Sequence, residues 1–286
     1  MRIRINKIQE MKDSGERIPC LTAYDSPTAM LAESSGVPLI LVGDSVGNVV
    51  LGYESTIPVT LEDIIHHTRS VIRGSSKALV VSDMPFLTYQ AGVDDAVRNA
   101  GRLIQEGGAQ AVKLEGGLPV IPIVERIVDV GIPVMGHLGL TPQSVNQLGG
   151  YRVQGRTLKE AAELVANARA LEQAGAFGIV LETIPSEVAD LVTKSVSIPT
   201  IGIGAGVGCS GEIQIIHELL GLVDGRIRKH AKLYADIKLQ SEIALSQYVA
   251  DVQKGIFPGL EQSFFLEPDL LEALSETLLG EKEDNS

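Results

Sequence analysis

The sequence alternates between short aliphatic runs and longer segments with helical periodicity. Seven such pairs can be read, from "CLTAY" followed by "SPTAMLAESSG" to "PTIGIGAG" followed by "CSGEIQIIHELLG", and an eighth short strand fits within "EIQII". The runs "LILV", "ALVV" and "GIVL" are continuously apolar, as in parallel strands that are covered on both faces. This α/β pattern predicts either a (β/α)8 TIM barrel or a doubly wound sheet, and the absence of a compositional linker favours the barrel.

The domain organisation follows from the same pattern. We expect one barrel domain over residues 1–265, with N-terminal and C-terminal helical extensions. Residues 266–286 form a separate C-terminal segment in this interpretation. Because its last letters, "GEKEDNS", are polar and charged, we expect the tail to be partly disordered.

The charge balance and the cysteines limit the class of partner and the compartment. The 286 residues carry 24 Lys and Arg against 36 Asp and Glu, which argues against nucleic acid and anionic membranes as partners. Cys20 and Cys209 lie in no metal-ligand spacing and are expected to be free thiols in a reducing compartment. The N-terminus lacks the apolar core of a signal peptide, and no apolar run is long enough for a membrane helix. We therefore expect a cytoplasmic protein with small-molecule substrates.

Polar residues end five successive predicted strands, from the second to the sixth. In a barrel, the carboxyl ends of the strands surround one cavity, and alternate strand residues face the barrel axis. If these side chains all face inward, two Asp, two Glu, a Lys and a His converge. The residues are Asp44, Asp83, Lys113, Glu115, His137 and Glu182.

Each of these residues also has a purely structural explanation. Asp44 could form a turn or cap a helix, and Glu182 could cap the helix that follows it. Lys113 and Glu115 could belong to a simple ion-pair set, and a lone histidine such as His137 is more often structural than catalytic. The joint pattern favours function, because five strands would each need a separate structural reason.

The chemistry of this set suggests a division of roles. Asp44 and Asp83 are natural ligands for a hard cation such as Mg²⁺, and Glu115 could hold one of its water molecules. Glu182 would remain as a general base, and Lys113 could pair with an anionic substrate. The set suits proton abstraction next to a carbonyl, with the metal stabilising the enolate. The long Gly-rich segment "HLGLTPQSVNQLGGYRVQGR" after the fifth strand has the length of a lid or binding loop.

Several longer motifs resemble those of one enzyme family. The strings "LVGDSVGN", "STIPVT", "HHTRSVIRG", "DMPF", "VKLEGG", "GHLGLTPQSVN" and "GGYRVQGR" together resemble the ketopantoate hydroxymethyltransferase family. The resemblance runs from about Ile5 to Phe265, nearly the whole chain.

This resemblance implies a fold, a reaction and an assembly. The fold is a (β/α)8 barrel of the isocitrate lyase/phosphoenolpyruvate mutase-like group. The reaction transfers a hydroxymethyl group from the co-substrate 5,10-methylenetetrahydrofolate to 3-methyl-2-oxobutanoate, giving 2-dehydropantoate for pantothenate synthesis through a Mg²⁺-stabilised enolate. The resemblance also implies a single Mg²⁺ in each subunit, a cytoplasmic location and a homo-oligomer, typically a decamer.

The family's residue roles can be carried onto matching positions of this sequence. The resemblance implies metal binding by Asp44 and Asp83 with Glu115 in the metal's water shell, proton abstraction by Glu182, and substrate binding by Asp44, Ser45, Asp83, Lys113 and His137. Two segments depart from the family pattern. Cys209 and Ser210 precede a glycine where the family has an aspartate, and "RKH" at 228–230 replaces "PKF".

Two other functions fit part of the pattern. A Mg²⁺-dependent C–C lyase or mutase of the same barrel group would also use a metal and an enolate. Such lyases carry a cysteine in a "KKCGH"-like mobile loop, and this sequence has no such motif. A non-catalytic, oligomeric metal-binding barrel is the other alternative, and a turnover assay would distinguish it.

Overall fold

The computed structural model describes residues 1–223 and 228–279. Its strands form a closed barrel in chain order, and each strand pairs in parallel with its neighbours. The predicted (β/α)8 fold is confirmed, including the eighth strand. The strands are β1 Ile18–Thr22, β2 Leu39–Val42, β3 Leu79–Asp83, β4 Ala111–Glu115, β5 Val134–Gly139, β6 Gly178–Glu182, β7 Thr200–Ile203 and β8 Gly211–Gln214.

Helices follow the strands as the periodicity predicts. The long helix between β2 and β3, Leu61–Gly74, begins at a capping box of Thr60 and Asp63. The long helix between β5 and β6, Leu158–Gln173, begins at a box of Thr157 and Glu160. The α-helices are α1 Ile5–Asp13, α2 Ser26–Ser34, α3 Val46–Val49, α4 Leu61–Gly74, α5 Val93–Arg102, α6 Ile121–Asp129, α7 Val145–Leu148, α8 Leu158–Gln173, α9 Ser186–Ser195, α10 Ile216–Leu219, α11 Ile237–Gln253 and α12 Pro268–Leu279. A π-helical turn, Leu103–Gly107, continues α5, and 3₁₀ turns cover Leu118–Val120, Pro142–Ser144 and Leu260–Gln262.

Alternation along the strands decides which residues face the barrel axis. The inner apolar cluster contains, among others, Leu79 and Val81 of β3, Met135 of β5 and Val180 of β6. Two residues further along these strands, the same face carries Asp83, His137 and Glu182. The barrel is therefore apolar in its lower layers and polar at its carboxyl end.

The outer apolar cluster lies between the strands and the helices around them. It contains Ile40, Val80, Leu114 and Leu181, which alternate with the axis-facing residues of their strands. Ile8 and Met11 of α1 belong instead to the inner cluster. The N-terminal extension thus packs against the barrel interior.

The chain divides into two compact units, Met1–Ala235 and Asp236–Ser286. The first contains all the strands, and the described part of the second consists mainly of α11 and α12. Residues 268–279 form α12, within the segment 266–286 that we expect to be partly disordered. The predicted tail "GEKEDNS" lies outside the described residues, and the predicted boundary at residue 265 stays a prediction. Among the helices of the described part of the chain, none has the length and apolarity to cross a membrane.

Candidate active site

The polar residues predicted at the strand ends converge at the carboxyl end of the barrel. Asp83, Glu115 and Glu182 are the last residues of β3, β4 and β6, whereas Asp44 lies two residues beyond β2. Together with Ser45, Lys113 and His137 they line one cavity. The structure therefore brings together every residue that the sequence assigns to the site.

Parallel register places Lys113 beside Asp83. The two residues are Cα partners in the β3–β4 pair, and Lys113 Nζ lies 2.9 Å from Asp83 Oδ1. Asp83 Oδ2 accepts a hydrogen bond from the backbone N–H of Asp44 at 2.9 Å. Lys113 and Asp83 are only 4% and 2% exposed, so this is a buried ion pair within the site.

Charge and burial together shift the pKa values of these groups. Burial raises the pKa of Asp44, and the nearby carboxylates of Asp83 and Glu115 raise it further. Burial also raises the pKa of Asp83, although Lys113 opposes this shift. For Lys113, burial alone would lower the pKa, but Asp83, Glu115 and Asp44 outweigh it and raise the pKa. The cluster is therefore a set of acids that lacks full compensation by positive charge.

His137 lies between two glutamates. It is the Cα partner of Glu115 in the β4–β5 pair, and its Nδ1 is 3.3 Å from Glu115 Oε1 and 3.2 Å from Lys113 Nζ. Its Nε2 is 3.2 Å from Glu182 Oε2 on β6, without the alignment of a hydrogen bond. Burial and Lys113 lower the pKa of His137, but the glutamates outweigh them and raise it to about 9.

Glu182 stands at the open side of the cluster. Its side chain is 13% exposed, against 3% for those of Glu115 and His137. The next residue, Thr183, has a φ of +50°, which is uncommon for a β-branched residue. The Thr183 backbone N–H donates to Ile203 O at 2.8 Å and fixes this turn. Glu182 can therefore contact a molecule that enters the cavity.

The structure adds contacting residues that the strand-end pattern does not indicate. Tyr24 OH lies 2.7 Å from Ser45 Oγ. Gln143, in the 3₁₀ turn after β5, donates from Nε2 to Asp44 Oδ2 at 2.9 Å. Both lie beyond strand ends, Tyr24 in "CLTAY" and Gln143 in "GHLGLTPQSVN", where strand periodicity gives no signal. Tyr151, from the predicted binding loop, also lines the cavity.

The segments that depart from the family pattern occupy two different places. Arg228 lines the cavity, and its Nε lies 3.3 Å from Glu218 Oε1. Lys229 and His230 lie with Arg228 at an adjoining opening beside Glu182. Cys209 is buried in the outer apolar cluster, so only the 228–230 segment touches the mouth of the site.

The donor set fits a hard divalent cation with an incomplete protein shell. Asp44, Asp83 and Glu115 offer carboxylate oxygens, the ligand type that Mg²⁺ prefers. Within residues 1–223 and 228–279, no three His, Cys, Asp or Glu side chains are arranged to hold a metal ion by themselves. Because Mg²⁺ commonly binds one or two carboxylates and keeps waters and substrate oxygens, the arrangement is compatible with it.

Solved structures with similar folds support the barrel assignment. A 2,3-dimethylmalate lyase, described as a PEP mutase/isocitrate lyase superfamily member, covers 98% of this chain and 98% of its own, with a TM-score of 0.57 and 17% identity. A phosphonopyruvate hydrolase covers 100% of this chain and 99% of its own, with a TM-score of 0.58 and 12% identity. At these identities the likeness concerns the fold alone.

Sequence comparisons are more specific. A 3-methyl-2-oxobutanoate hydroxymethyltransferase of Dehalococcoides mccartyi (strain CBDB1) is 56% identical over 98% of this chain and 100% of its own length. One from Chloroflexus aurantiacus (strain ATCC 29366 / DSM 635 / J-10-fl) is 57% identical over 96% of each chain. The family model for ketopantoate hydroxymethyltransferase matches residues 2–260. The chain therefore belongs to the ketopantoate hydroxymethyltransferase family.

Proposed function

We propose that this protein is a 3-methyl-2-oxobutanoate hydroxymethyltransferase. It transfers a hydroxymethyl group from 5,10-methylenetetrahydrofolate to 3-methyl-2-oxobutanoate and forms 2-dehydropantoate in pantothenate biosynthesis. The observation that carries this proposal is the buried acid cluster with Glu182 at its open side, in a chain 56% identical to an enzyme of that name. The site contains acidic side chains suited to a cation, a glutamate suited to the role of a base, and a lysine suited to an anionic substrate.

The metal in this proposal is Mg²⁺. Asp44 and Asp83 would hold it, and Glu115 would lie in its water shell. Mg²⁺ would neutralise the negative charge that develops on the keto oxygen during the reaction. The raised pKa values of both aspartates support this assignment, because a bound cation would stabilise their ionised forms.

The keto acid is bound by its carboxylate and its carbonyl. Lys113 supplies positive charge to the carboxylate end while it remains paired with Asp83 at 2.9 Å. Ser45 Oγ, held 2.7 Å from Tyr24 OH, offers a hydroxyl at the same end. His137 lines the substrate pocket beside these groups. The apolar wall from Leu41, Val180 and Ile203 suits the branched methyl groups of the substrate.

Glu182 removes the proton from C3 of the keto acid. It is the most exposed acid of the cluster, so it can reach a bound substrate. His137 Nε2, at 3.2 Å, restricts where the Glu182 carboxylate can lie. Loss of the proton makes C3 nucleophilic, and C3 then attacks the methylene carbon of the folate co-substrate. Both bonds from that carbon to folate nitrogens break, water supplies the hydroxyl group of the product, and tetrahydrofolate leaves.

The assembly and the location follow the family resemblance. The proposal is a cytoplasmic homo-oligomer, typically a decamer, with no nucleic acid or membrane partner. Exposed apolar side chains on α11 support self-association: Leu239, Ile243 and Val249 are each about half exposed or more. The proposal is consistent with the net charge of −12.

Product formation tests this function. The protein is incubated with 3-methyl-2-oxobutanoate, 5,10-methylenetetrahydrofolate and Mg²⁺, and 2-dehydropantoate is measured by NMR. The unaltered chain should form product, and Glu182→Gln should lose at least a hundredfold in rate. Glu187→Gln, which makes the same change at an exposed position of α9, should keep full rate. No product from the unaltered chain would refute the proposal.

A further inference from the structure

Gln143 contacts both sides of the acid cluster. It is 3% exposed and lies in the 3₁₀ turn Pro142–Ser144 that follows β5. Its backbone N–H donates to Glu115 Oε2 at 3.0 Å, and its side-chain Nε2 donates to Asp44 Oδ2 at 2.9 Å. One residue therefore supplies hydrogen-bond donors to two carboxylates, one at the end of β4 and one just beyond β2.

The orientation of the Gln143 amide follows from its neighbours. Its Nε2 faces two acceptors, Asp44 Oδ2 and the backbone oxygen of Met84, the latter at 3.0 Å. Acceptors can be satisfied only by the NH₂ end of an amide, so the Oε1 end must point away from the acids. A reversed amide would place an oxygen against the Asp44 carboxylate.

Tyr89 fixes this orientation from the other end. The backbone N–H of Glu115 donates to Tyr89 OH at 3.1 Å, so the hydroxyl already acts as an acceptor. Its single proton has two acceptors in reach, Gln143 Oε1 at 2.8 Å and Glu115 O at 3.1 Å. The shorter contact favours donation to Gln143 Oε1. Tyr89 is 1% exposed, so water does not compete for these bonds.

We propose that Gln143 and Tyr89 are positioning residues that hold Asp44 and Glu115 in place for the divalent cation. The inference rests on the metal site of the proposed function. Asp44, Asp83 and Glu115 carry like charges in a buried site, and without donors they would turn away from one another or lose charge. Hydrogen bonds to the carboxylates fix their orientation before the metal binds, as outer partners do in other metal sites.

The affinity for Mn²⁺, used as an EPR-visible probe in place of Mg²⁺, tests the proposal without any substrate. Free Mn²⁺ is titrated against the full chain, and the dissociation constant is compared among variants. Gln143→Leu should weaken binding 10- to 100-fold, the range typical for loss of an outer partner. Tyr89→Phe should weaken it by about 5-fold, as for loss of one hydrogen bond.

Gln143→Glu distinguishes positioning from space filling. If Gln143 only filled space in the turn, glutamate, which has the same shape, could replace it. The new carboxylate would then add a ligand and preserve or strengthen Mn²⁺ binding. Under the proposal, glutamate loses the donor and repels Asp44, so Mn²⁺ binding weakens at least as much as in Gln143→Leu. Gln90→Ala is the matched control, because the two hydrogen bonds of the exposed Gln90 involve neither carboxylate. Its Nε2 donates to Gln143 Oε1 at 3.3 Å, and its Oε1 accepts from the backbone N–H of Tyr89 at 3.5 Å.

Each outcome separates this inference from the proposed function. If the unaltered chain binds Mn²⁺ and the Gln143 and Tyr89 variants all bind it within twofold, the positioning role is refuted while the metal site stands. If the unaltered chain binds no Mn²⁺, the metal site of the proposed function is refuted as well. Thermal unfolding of each metal-free variant shows whether it folds; if Gln143→Leu does not, Gln143→Glu and Tyr89→Phe decide the test.

Discussion

Gly139, at the end of β5, sits where no side chain fits. Its φ is +93°, and a Cβ at this position would lie 2.2 Å from the backbone oxygen of Glu182 and 2.7 Å from Ile184 Cγ2. The same Glu182 oxygen accepts a hydrogen bond from the backbone N–H of Leu140 at 2.8 Å. Gly139→Ala must therefore displace the backbone that carries the proposed base.

Two contributions determine how much Gly139→Ala lowers the free energy of unfolding. An alanine at a left-handed φ costs about 1–2 kcal/mol, and overpacking against backbone adds about 1–3 kcal/mol. Gly139→Ala should therefore lower the free energy of unfolding by about 2–5 kcal/mol. Gly131, after α6, has a φ of +88° with nothing within 4 Å of its Cβ position, so Gly131→Ala isolates the first contribution.

Urea denaturation of the two variants measures this difference. Gly139→Ala should be less stable than Gly131→Ala by at least about 1 kcal/mol. Gly139→Ala should also lose hydroxymethyltransferase activity under conditions where it stays folded, whereas Gly131→Ala should keep it. Equal losses of stability in the two variants would refute the steric reasoning, because the two glycines have nearly the same φ and differ in what the new methyl group meets.

Two further predictions concern charged groups. Burial tends to raise the pKa of Glu33, but hydrogen bonds from the backbone N–H groups of residues 76–78 outweigh it and lower this pKa from 4.5 to about 2. Glu33→Gln should therefore lower the free energy of unfolding at pH 7 by about 1–2 kcal/mol, after allowance for solvent screening. Measured against pH, the difference between the two proteins should shrink as the pH falls from about 4.5 to 2. Because Asp83 and Glu115 repel Asp44, Asp44→Asn should stabilise the metal-free protein. In the unaltered chain, Mg²⁺ at a hundred times its dissociation constant should raise the free energy of unfolding by about 2.7 kcal/mol, and Asp44→Asn should abolish this gain. Denaturation with and without Mg²⁺ measures both effects.

The barrel could be predicted because its determinants are local. Continuous apolar runs and helical periodicity indicate each βα unit separately, and the helix between successive strands makes those strands parallel. Alternation also placed Asp83, Glu115 and Glu182 on the axis-facing side, since the side-chain period of a strand leaves no other face. The sequence pattern is therefore sufficient to predict that these side chains meet at one end of the barrel.

The hydrogen bonds and ion pairs among the site residues could not be predicted in the same way. Gln143 and Tyr89 lie in irregular segments, where no periodicity fixes the direction of a side chain. Their contacts depend on how separate loops meet above the barrel, and this is a long-range property of the fold. The pairing of Lys113 with Asp83 depends likewise on register between strands, which the separate runs do not specify. Helix α12 is not predicted either, because it adjoins the polar end "GEKEDNS", whose composition indicates disorder.

Exchange of the C3 proton of 3-methyl-2-oxobutanoate in D₂O, followed by NMR, is the most direct test of the proposed chemistry. The unaltered chain should exchange this proton in the presence of Mg²⁺, with or without tetrahydrofolate. Glu182→Gln should show no exchange while it still binds Mg²⁺. Exchange that persists in Glu182→Gln would contradict the assignment of Glu182 as the base, and absence of exchange in the unaltered chain, even with tetrahydrofolate added, would contradict the enolising reaction itself.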